Sequence, residues 1–329
     1  MKTKIMQFGL GPIGVDCVKL AATKPWAEIV GGVDIDPDKA GKSLTEVAGV
    51  PDLDACRIYS DVNELLSEVR PDVVLHTAGS RAAESFAQLT PLLKQGVRVV
   101  SSCEELLFPA LRAPQETEAT DALCREAGAA VLGTGVNPGF VLDVLPICLT
   151  GVARSVASIY GERVVNASTR RMPLQRKVGS GMEPDQFRAL FREGKAGHAG
   201  FQESLALIAH ALGWTLGPIT ETCEPVIADH DIQTDYFKVA KGLTCGLHQI
   251  VEAEGEGHAI KLDLKMYLDA QDPHDAVHIE GEPSIKLRID EGVAGDGATV
   301  AAVINAVPRI LKAPAGVRLM SELALPCWA

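Results

Sequence analysis

Lys4-Ile-Met-Gln-Phe-Gly9-Leu-Gly11-Pro-Ile-Gly14 decides how the rest of the chain is read. An apolar run ends in three glycines spaced G-x-G-x-x-G, and an amphipathic stretch from Val15 to Ala22 follows. The order is strand, tight turn, helix. Glycines at these positions permit the turn, let a pyrophosphate approach the backbone and allow close helix–strand packing. Pro12 and Ile13 complete the turn. A second apolar run, Glu28-Ile-Val-Gly-Gly-Val33, ends at Asp34, twenty residues after Gly14. An acid there can bind the ribose hydroxyls of an adenosine. Asp34 favours NAD, since a carboxylate repels a 2′-phosphate. Lys39 and Lys42 can neutralise such a phosphate, so NADP stays open, with Asp36 as a second candidate acid.

Outward from this turn, the first 150 residues alternate short apolar runs with amphipathic stretches. The runs are Lys4–Phe8, Glu28–Val33, Val73–His76, Val97–Ser101 and Ala129–Leu132. Each is rich in Val, Ile or Leu, as strands buried on both faces should be. Asp61-Val-Asn-Glu64 opens a helix that Pro71 closes. The alternation implies an α/β fold, a Rossmann-type doubly wound parallel sheet. Ligands bind beyond the carboxyl ends of such strands, which places His76-Thr77-Ala78-Gly79 and Ser101-Ser102-Cys103 along the dinucleotide.

After residue 150 the pattern changes. Ile260–Leu268 alternates apolar and polar positions, and Val277/Ile279 and Ile285/Leu287/Ile289 repeat that period. Helices are expected at Pro184–Glu193 and His198–Gly213. This half reads as a second α+β domain with a mainly antiparallel sheet. The expected division is therefore 1–150 for dinucleotide binding and 151–329 for substrate binding and dimerisation, with the segment from about 300 able to pack back on the first domain.

Composition narrows the function classes. The chain has 329 residues, 31 Lys plus Arg against 43 Asp plus Glu, and a net charge of −12, which disfavours nucleic acid as a partner. The uncharged stretch Ala127–Leu142 is broken by glycines and a proline, so no membrane span is expected. Lys2 and Lys4 followed by Ile5 to Val15 imitate a signal peptide, but the glycine motif claims that segment. Eight cysteines without a CxxC suggest reduced thiols in a cytoplasmic protein. No metal site is expected: His274 and His278 are four apart, but Pro273 and a strand-like run argue against a helical pair. No G-x-S-x-G elbow supports a hydrolase.

The strongest candidates for chemistry are Glu104 and Glu105, directly after the strand that ends in Val99-Val-Ser-Ser-Cys103. A carboxylate there can act as a general base, or be a first-turn helix acid that complements the helix dipole. The two jobs can fall one to each residue. Gly133-Thr-Gly-Val-Asn137-Pro138-Gly139 suggests either backbone fitted to a ligand or an interdomain turn. Arg163, Asn166, Arg170 and Arg171 form a polar cluster that either grips an anion or is solvated. His198 and His258 read as cleft polar groups or as surface histidines.

GLGPIG, HTAGSR, VSSCEEL, GTGVNPGFVLDVLP, RVVNASTRRMPLQRKVG and GDGATVAAVINAVP together resemble the 2,4-diaminopentanoate dehydrogenase family, which includes the native amine dehydrogenases and has a dihydrodipicolinate-reductase-like architecture. The likeness spans residues 4 to about 326. It implies NAD(P)-dependent reductive amination of a carbonyl by ammonium, and the reverse deamination. It assigns the assisting glutamate to Glu104, with Glu105 in reserve. Phe140 becomes a pocket wall under this resemblance, while Arg163, Arg171 and His198 remain, on their residue types alone, the candidate polar groups of the substrate pocket. Asn166 stands where some members carry an acid, which favours a small ketone or aldehyde over a diamino acid. A homodimer through the second domain's sheet is also implied. A 2,4-diaminopentanoate or other amino acid dehydrogenase is the nearest alternative, and a non-catalytic NAD(P) sensor a more distant one.

Overall fold

A computed structural model describes residues 2–329. The chain divides into two units, one made of residues 1–140 and 294–329, the other of residues 141–293.

The first unit runs β1 (Thr3–Phe8), α1 (Pro12–Ala22), β2 (Ala27–Val33), α2 (Leu44–Ala48), β3 (Ile58–Tyr59), α3 (Val62–Glu68), β4 (Val73–His76), α4 (Ala82–Leu93), β5 (Arg98–Ser101), α5 (Pro114–Ala127) and β6 (Ala130–Gly133). The second runs α6 (Val144–Thr150), β7 (Ser155–Asn166), α7 (Met172–Lys177), α8 (Pro184–Arg192), α9 (Phe201–Leu212), β8 (Thr220–Ile227), β9 (Ile232–Gln233), β10 (Lys238–Val239), β11 (Thr244–Gly255), β12 (His258–Tyr267), β13 (His274–Glu282) and β14 (Ile285–Asp290). The chain then returns to the first unit with α10 (Gly295–Ile310) and β15 (Gly316–Arg318).

Among the described residues, the first sheet has seven strands in the order β15-β6-β5-β4-β1-β2-β3, all parallel. Strand order reverses between β1 and β4, so the turns after these strands stand at the topological switch point where such sheets bind ligands. Helices α1 and α10 pack together, as do α3 with α4 and α4 with α5. The core is built from Met6, Phe8, Val74, Val99 and Val131 on the strands and Phe86, Leu89 and Leu92 on α4. Helix ends follow local chemistry. Ser43 and Glu46 form a capping box for α2, Asp61 accepts from Asn63 N–H to start α3, and Gly128 at φ +74° closes α5.

The second sheet is ordered β14-β13-β7-β12-β11-β8. Its neighbours are antiparallel except β7 with β12, which are parallel. Helices α6 and α9 pack on these strands. The fold is the expected α/β doubly wound sheet with a mainly antiparallel partner.

The division falls ten residues before the position read from sequence, because Asp143 belongs to the second unit: its carboxylate accepts from Val144 N–H at 2.6 Å and from Ser204 O–H at 2.7 Å. The final segment joins the first unit from Ala294 onward. Among the described residues, no helix is long and apolar enough to cross a membrane.

Candidate active site

The turn after β1 is built by close contacts that only glycine allows. Gly9 sits at φ +86° with Ala78 beneath it, and a Cβ on Gly14 would lie 1.9 Å from the Gly9 carbonyl oxygen. Gln7, a buried amide inside an otherwise apolar strand, donates to the Gly9 carbonyl at 2.9 Å and to Thr77 Oγ1 at 2.9 Å; Thr77 itself donates to Gly9 O at 2.8 Å. β1 and β4 thus meet at a rigid carbonyl. Gly11, by contrast, faces open space: a Cβ there would touch nothing within 4 Å. Gly11 is also the N-cap of α1, which has no side-chain cap and no acid in its first turn. Pro12 occupies the first helical position and Ile13 is half-buried. An uncapped helix N-terminus behind an open glycine is suited to an anion.

Asp34 is fixed by the backbone. Its Oδ2 accepts from Leu10 N–H at 2.7 Å and its Oδ1 from Asp36 N–H at 2.9 Å. Lys39 Nζ lies 3.4 Å from Asp34 Oδ2 and 3.1 Å from Asp36 Oδ2. The Asp38 N–H and then Lys39 hold the Asp36 carboxyl below its usual range. Between the two acids Ile35 is 87% exposed, an apolar surface open to a flat ring. Sequence reading missed Ile35 and Gln7; the available signals were an apolar residue between two acids and a polar residue inside a buried strand.

Beyond β4, Gly79 at φ +93° is open, whereas the His76 ring is fully buried. His76 Nε2 pairs with Gln88 Oε1 at 3.1 Å and Nδ1 with Ser101 Oγ at 2.7 Å. Burial pushes the His76 pKa down to about 4, so the ring is neutral, donating to Gln88 and accepting from Ser101. Ser101 Oγ also accepts from Cys103 N–H at 3.0 Å. Cys103 is buried as well, and burial pushes its thiol up to about 11. The side chains of His76 and Cys103, both expected along the dinucleotide, instead brace the ends of β4 and β5 from inside.

Glu104 and Glu105 open a 3₁₀ turn, Glu104–Leu107. With three residues per turn, neighbouring side chains point about 120° apart. Glu105 turns back to α4, and its Oε2 accepts from Ala82 N–H at 2.7 Å. The half-buried Glu104 carboxylate has no hydrogen bond or ion pair among the described residues. The turn is pressed from below by β6: a Cβ on Gly133 would lie 2.2 Å from Leu106 C and O. Asn137, Pro138 and the half-buried Phe140 lie in the loop that follows, which Gly135 and Gly139 fold tightly on itself.

In the second unit the expected pocket residues separate. Arg163 is 3% exposed and gives two 2.9 Å bonds from Nη1 to the Asp275 carboxylate, with Nη2 donating to Val293 O at 2.6 Å. It is not a cation held ready for a ligand: β7 and β13 pair Arg163 directly with Asp275, and a buried guanidinium needs that partner. Asn166 holds its own loop, accepting from Ser168 N–H at 2.9 Å and donating to Ala270 O at 3.2 Å. Arg171 is exposed at the start of α7. His198 is half-buried, its N–H donating to Gln249 Oε1 at 2.7 Å. His258 stacks on Trp214, with ring centroids 4.3 Å apart. His274 and His278 lie on strand β13, where His274 Nε2 meets Glu162 Oε2 at 3.1 Å.

A wholly parallel doubly wound sheet, the glycine turn at its switch point and an uncommitted carboxylate beyond β5 define the class, a Rossmann-type oxidoreductase with a second α+β unit. The 2,4-diaminopentanoate dehydrogenase C-terminal domain matches residues 140–328. The 2,4-diaminopentanoate dehydrogenase of Acetoanaerobium sticklandii is 31% identical over 334 residues, covering 99% of this chain and 94% of its own length. An amine dehydrogenase of Streptomyces virginiae is 25% identical, over 97% and 95% of the two chains. The solved amine dehydrogenase of Mycobacterium smegmatis superposes with a TM-score of 0.88 at 22% identity, covering 100% of this chain and 98% of that one. The chain belongs to the 2,4-diaminopentanoate dehydrogenase family and is an oxidoreductase acting on amines.

Proposed function

We propose that the protein is an NAD(P)-dependent amine dehydrogenase that joins ammonium to a small ketone or aldehyde, and runs the reverse oxidative deamination. The observation that carries this reading is the division of labour after β5: Glu105 is bonded into α4, while Glu104 is left uncommitted beyond the strand end.

The first unit fits a dinucleotide. Gly11 and the uncapped start of α1 would take the pyrophosphate, Asp34 the adenosine ribose, and Ile35 the face of the adenine. With both Asp34 oxygens fixed by backbone N–H groups and Lys39 shared between two acids, this end of the site is net anionic, which favours NAD over NADP. When bound, the nicotinamide supplies the hydride.

Glu104 performs the proton work. It takes a proton from ammonium so that ammonia can attack the carbonyl, assists loss of water from the carbinolamine, and faces the positive charge of the resulting iminium. The brace of His76, Ser101 and Cys103 holds this carboxylate's turn without titrating near neutrality. The consumption of Arg163 by Asp275 removes one candidate carboxylate grip and so favours a plain carbonyl over an amino acid. We further propose a homodimer through the second sheet, whose half-exposed Tyr160, Ile250 and Tyr267 share one face.

The test is NADH or NADPH oxidation with small ketones, aldehydes and matching keto acids, with and without ammonium. Ammonium-dependent oxidation is expected, with ketones or aldehydes preferred. No ammonium dependence across the panel overturns the reading, and a strong keto-acid preference replaces it with the amino acid dehydrogenase alternative. Cofactor binding with no turnover on any substrate would mark a sensor.

A further inference from the structure

The turn that carries Glu104 is attached to the neighbouring loop at two points, both made by Glu105. Its N–H donates to Ser80 O at 3.2 Å, and its carboxylate accepts from Ala82 N–H at 2.7 Å. Ala82 is the first residue of α4, whose N-cap is Arg81 and which has no side-chain cap of its own. The helix therefore receives its missing acceptor from another strand's loop, and the charge lies where the helix dipole favours it. The Ser80–Ala82 segment continues directly from Thr77 and Ala78, the residues that hold Gly9. A connected path thus runs from the glycine turn through Thr77–Ala82 and Glu105 to Glu104.

We propose that Glu105 is a positioning residue: its bond to the start of α4 sets the place of the Glu104 carboxylate relative to the glycine turn. Adjacent acids on a 3₁₀ turn cannot face the same point, so the pair divides into one group for chemistry and one for register. An amide oxygen can accept from Ala82 N–H as a carboxylate does, whereas a methyl group cannot. The inference rests on the assignment of Glu104 as the proton-transferring group.

Glu105→Ala, Glu105→Gln and Glu104→Gln are compared in the full chain. The measurements are kcat, KM for carbonyl and ammonium, NADH affinity by fluorescence titration, and amide hydrogen exchange of α4. Glu105→Ala is expected to lower kcat by about 10- to 100-fold, as displacement of a reacting group does, with NADH affinity within about 2-fold and faster exchange at the start of α4. Glu105→Gln restores kcat to within about 3-fold of the parent, since only the charge is lost and the hydrogen bond stays. If Glu105→Ala leaves kcat within 2-fold, or Glu105→Gln is as impaired as Glu105→Ala, the positioning role is overturned. Should Glu105→Ala not fold, the Gln variant decides: near-parent kcat supports the role and a deep loss makes Glu105 itself the proton carrier. Retained turnover in Glu104→Gln would instead overturn the underlying assignment, whatever Glu105 does.

Discussion

Asp34, Glu104 and Glu105 stand beyond the C-terminal ends of β2 and β5, whereas Glu162, Arg163, Asp263 and Asp275 stand inside strands of the second sheet. In the first sheet, charge within strands is confined to their ends, at Lys4, Glu28 and Arg98 near the starts and at Arg318 at the close of β15. In the second, the most buried charges close on one another. Glu162 meets Lys265 at 2.6 Å and His274 at 3.1 Å, Asp263 meets His248 at 2.8 Å, and Arg163 meets Asp275 at 2.9 Å. A buried charge in a strand interior must find its partner across the sheet, because little solvent reaches it. A charge at a strand end can be met by backbone N–H groups, as Asp34 and Glu105 are, or stand without a hydrogen bond or ion pair among the described residues, as Glu104 does.

The sharpest way to break this contrast is Glu104→Ala, expected to lower kcat by about 10³- to 10⁴-fold while NADH affinity stays nearly constant. A small loss would put the proton work elsewhere. On the other side, Arg163→Ala should cost about 3–5 kcal/mol in urea denaturation, because Asp275 is left charged and buried; Arg163→Met with Asp275→Leu should regain most of it. If the double variant lost catalysis while regaining stability, Arg163 would belong to the active site after all.

His76 supplies a pH test. Its folded pKa of about 4 lies below the ordinary histidine value of 6.5 because of burial. The unfolded chain therefore binds the extra proton first, and stability is full above about pH 6.5 and falls as pH drops toward 4. The loss attributable to this residue is up to about 3 kcal/mol. His76→Gln should flatten that part of the slope between pH 7 and 4.5; an unchanged slope would assign it to other groups. The smallest effect concerns Gly133→Ala. A Cβ there meets Leu106 backbone, so an overpacking cost of about 1–3 kcal/mol is expected, together with a lower kcat as the Glu104 turn shifts. Loss of stability with kcat intact would show that β6 supports the turn without setting its place.

What was legible in the sequence was local. The glycine turn, Asp34 and the alternation of buried strands with amphipathic helices need only near neighbours, and all appear where the residues place them. The Glu105 bond was only half visible. Two adjacent acids can be read directly, but the helix end that takes one of them belongs to a segment more than twenty residues upstream, whose lack of a capping side chain at Arg81 was the available clue. Arg163 was misread for the same physical reason. Its partner is 112 residues away and is brought opposite by the register of β7 on β13, which no single strand encodes.

The insertion of residues 141–293 into the first unit has a consequence for the order of synthesis. Strand β15 pairs with β6, and α10 packs against α1 and β5. During translation the dinucleotide-type sheet must therefore wait, short of one edge strand and one covering helix, until the whole second unit has left the ribosome. Apolar residues that α10 later covers stay uncovered for the time needed to make about 150 further residues, at roughly 5–20 residues per second. A ribosome stalled within the second unit would expose that surface, and chaperone capture of such nascent chains should fall once α10 has emerged.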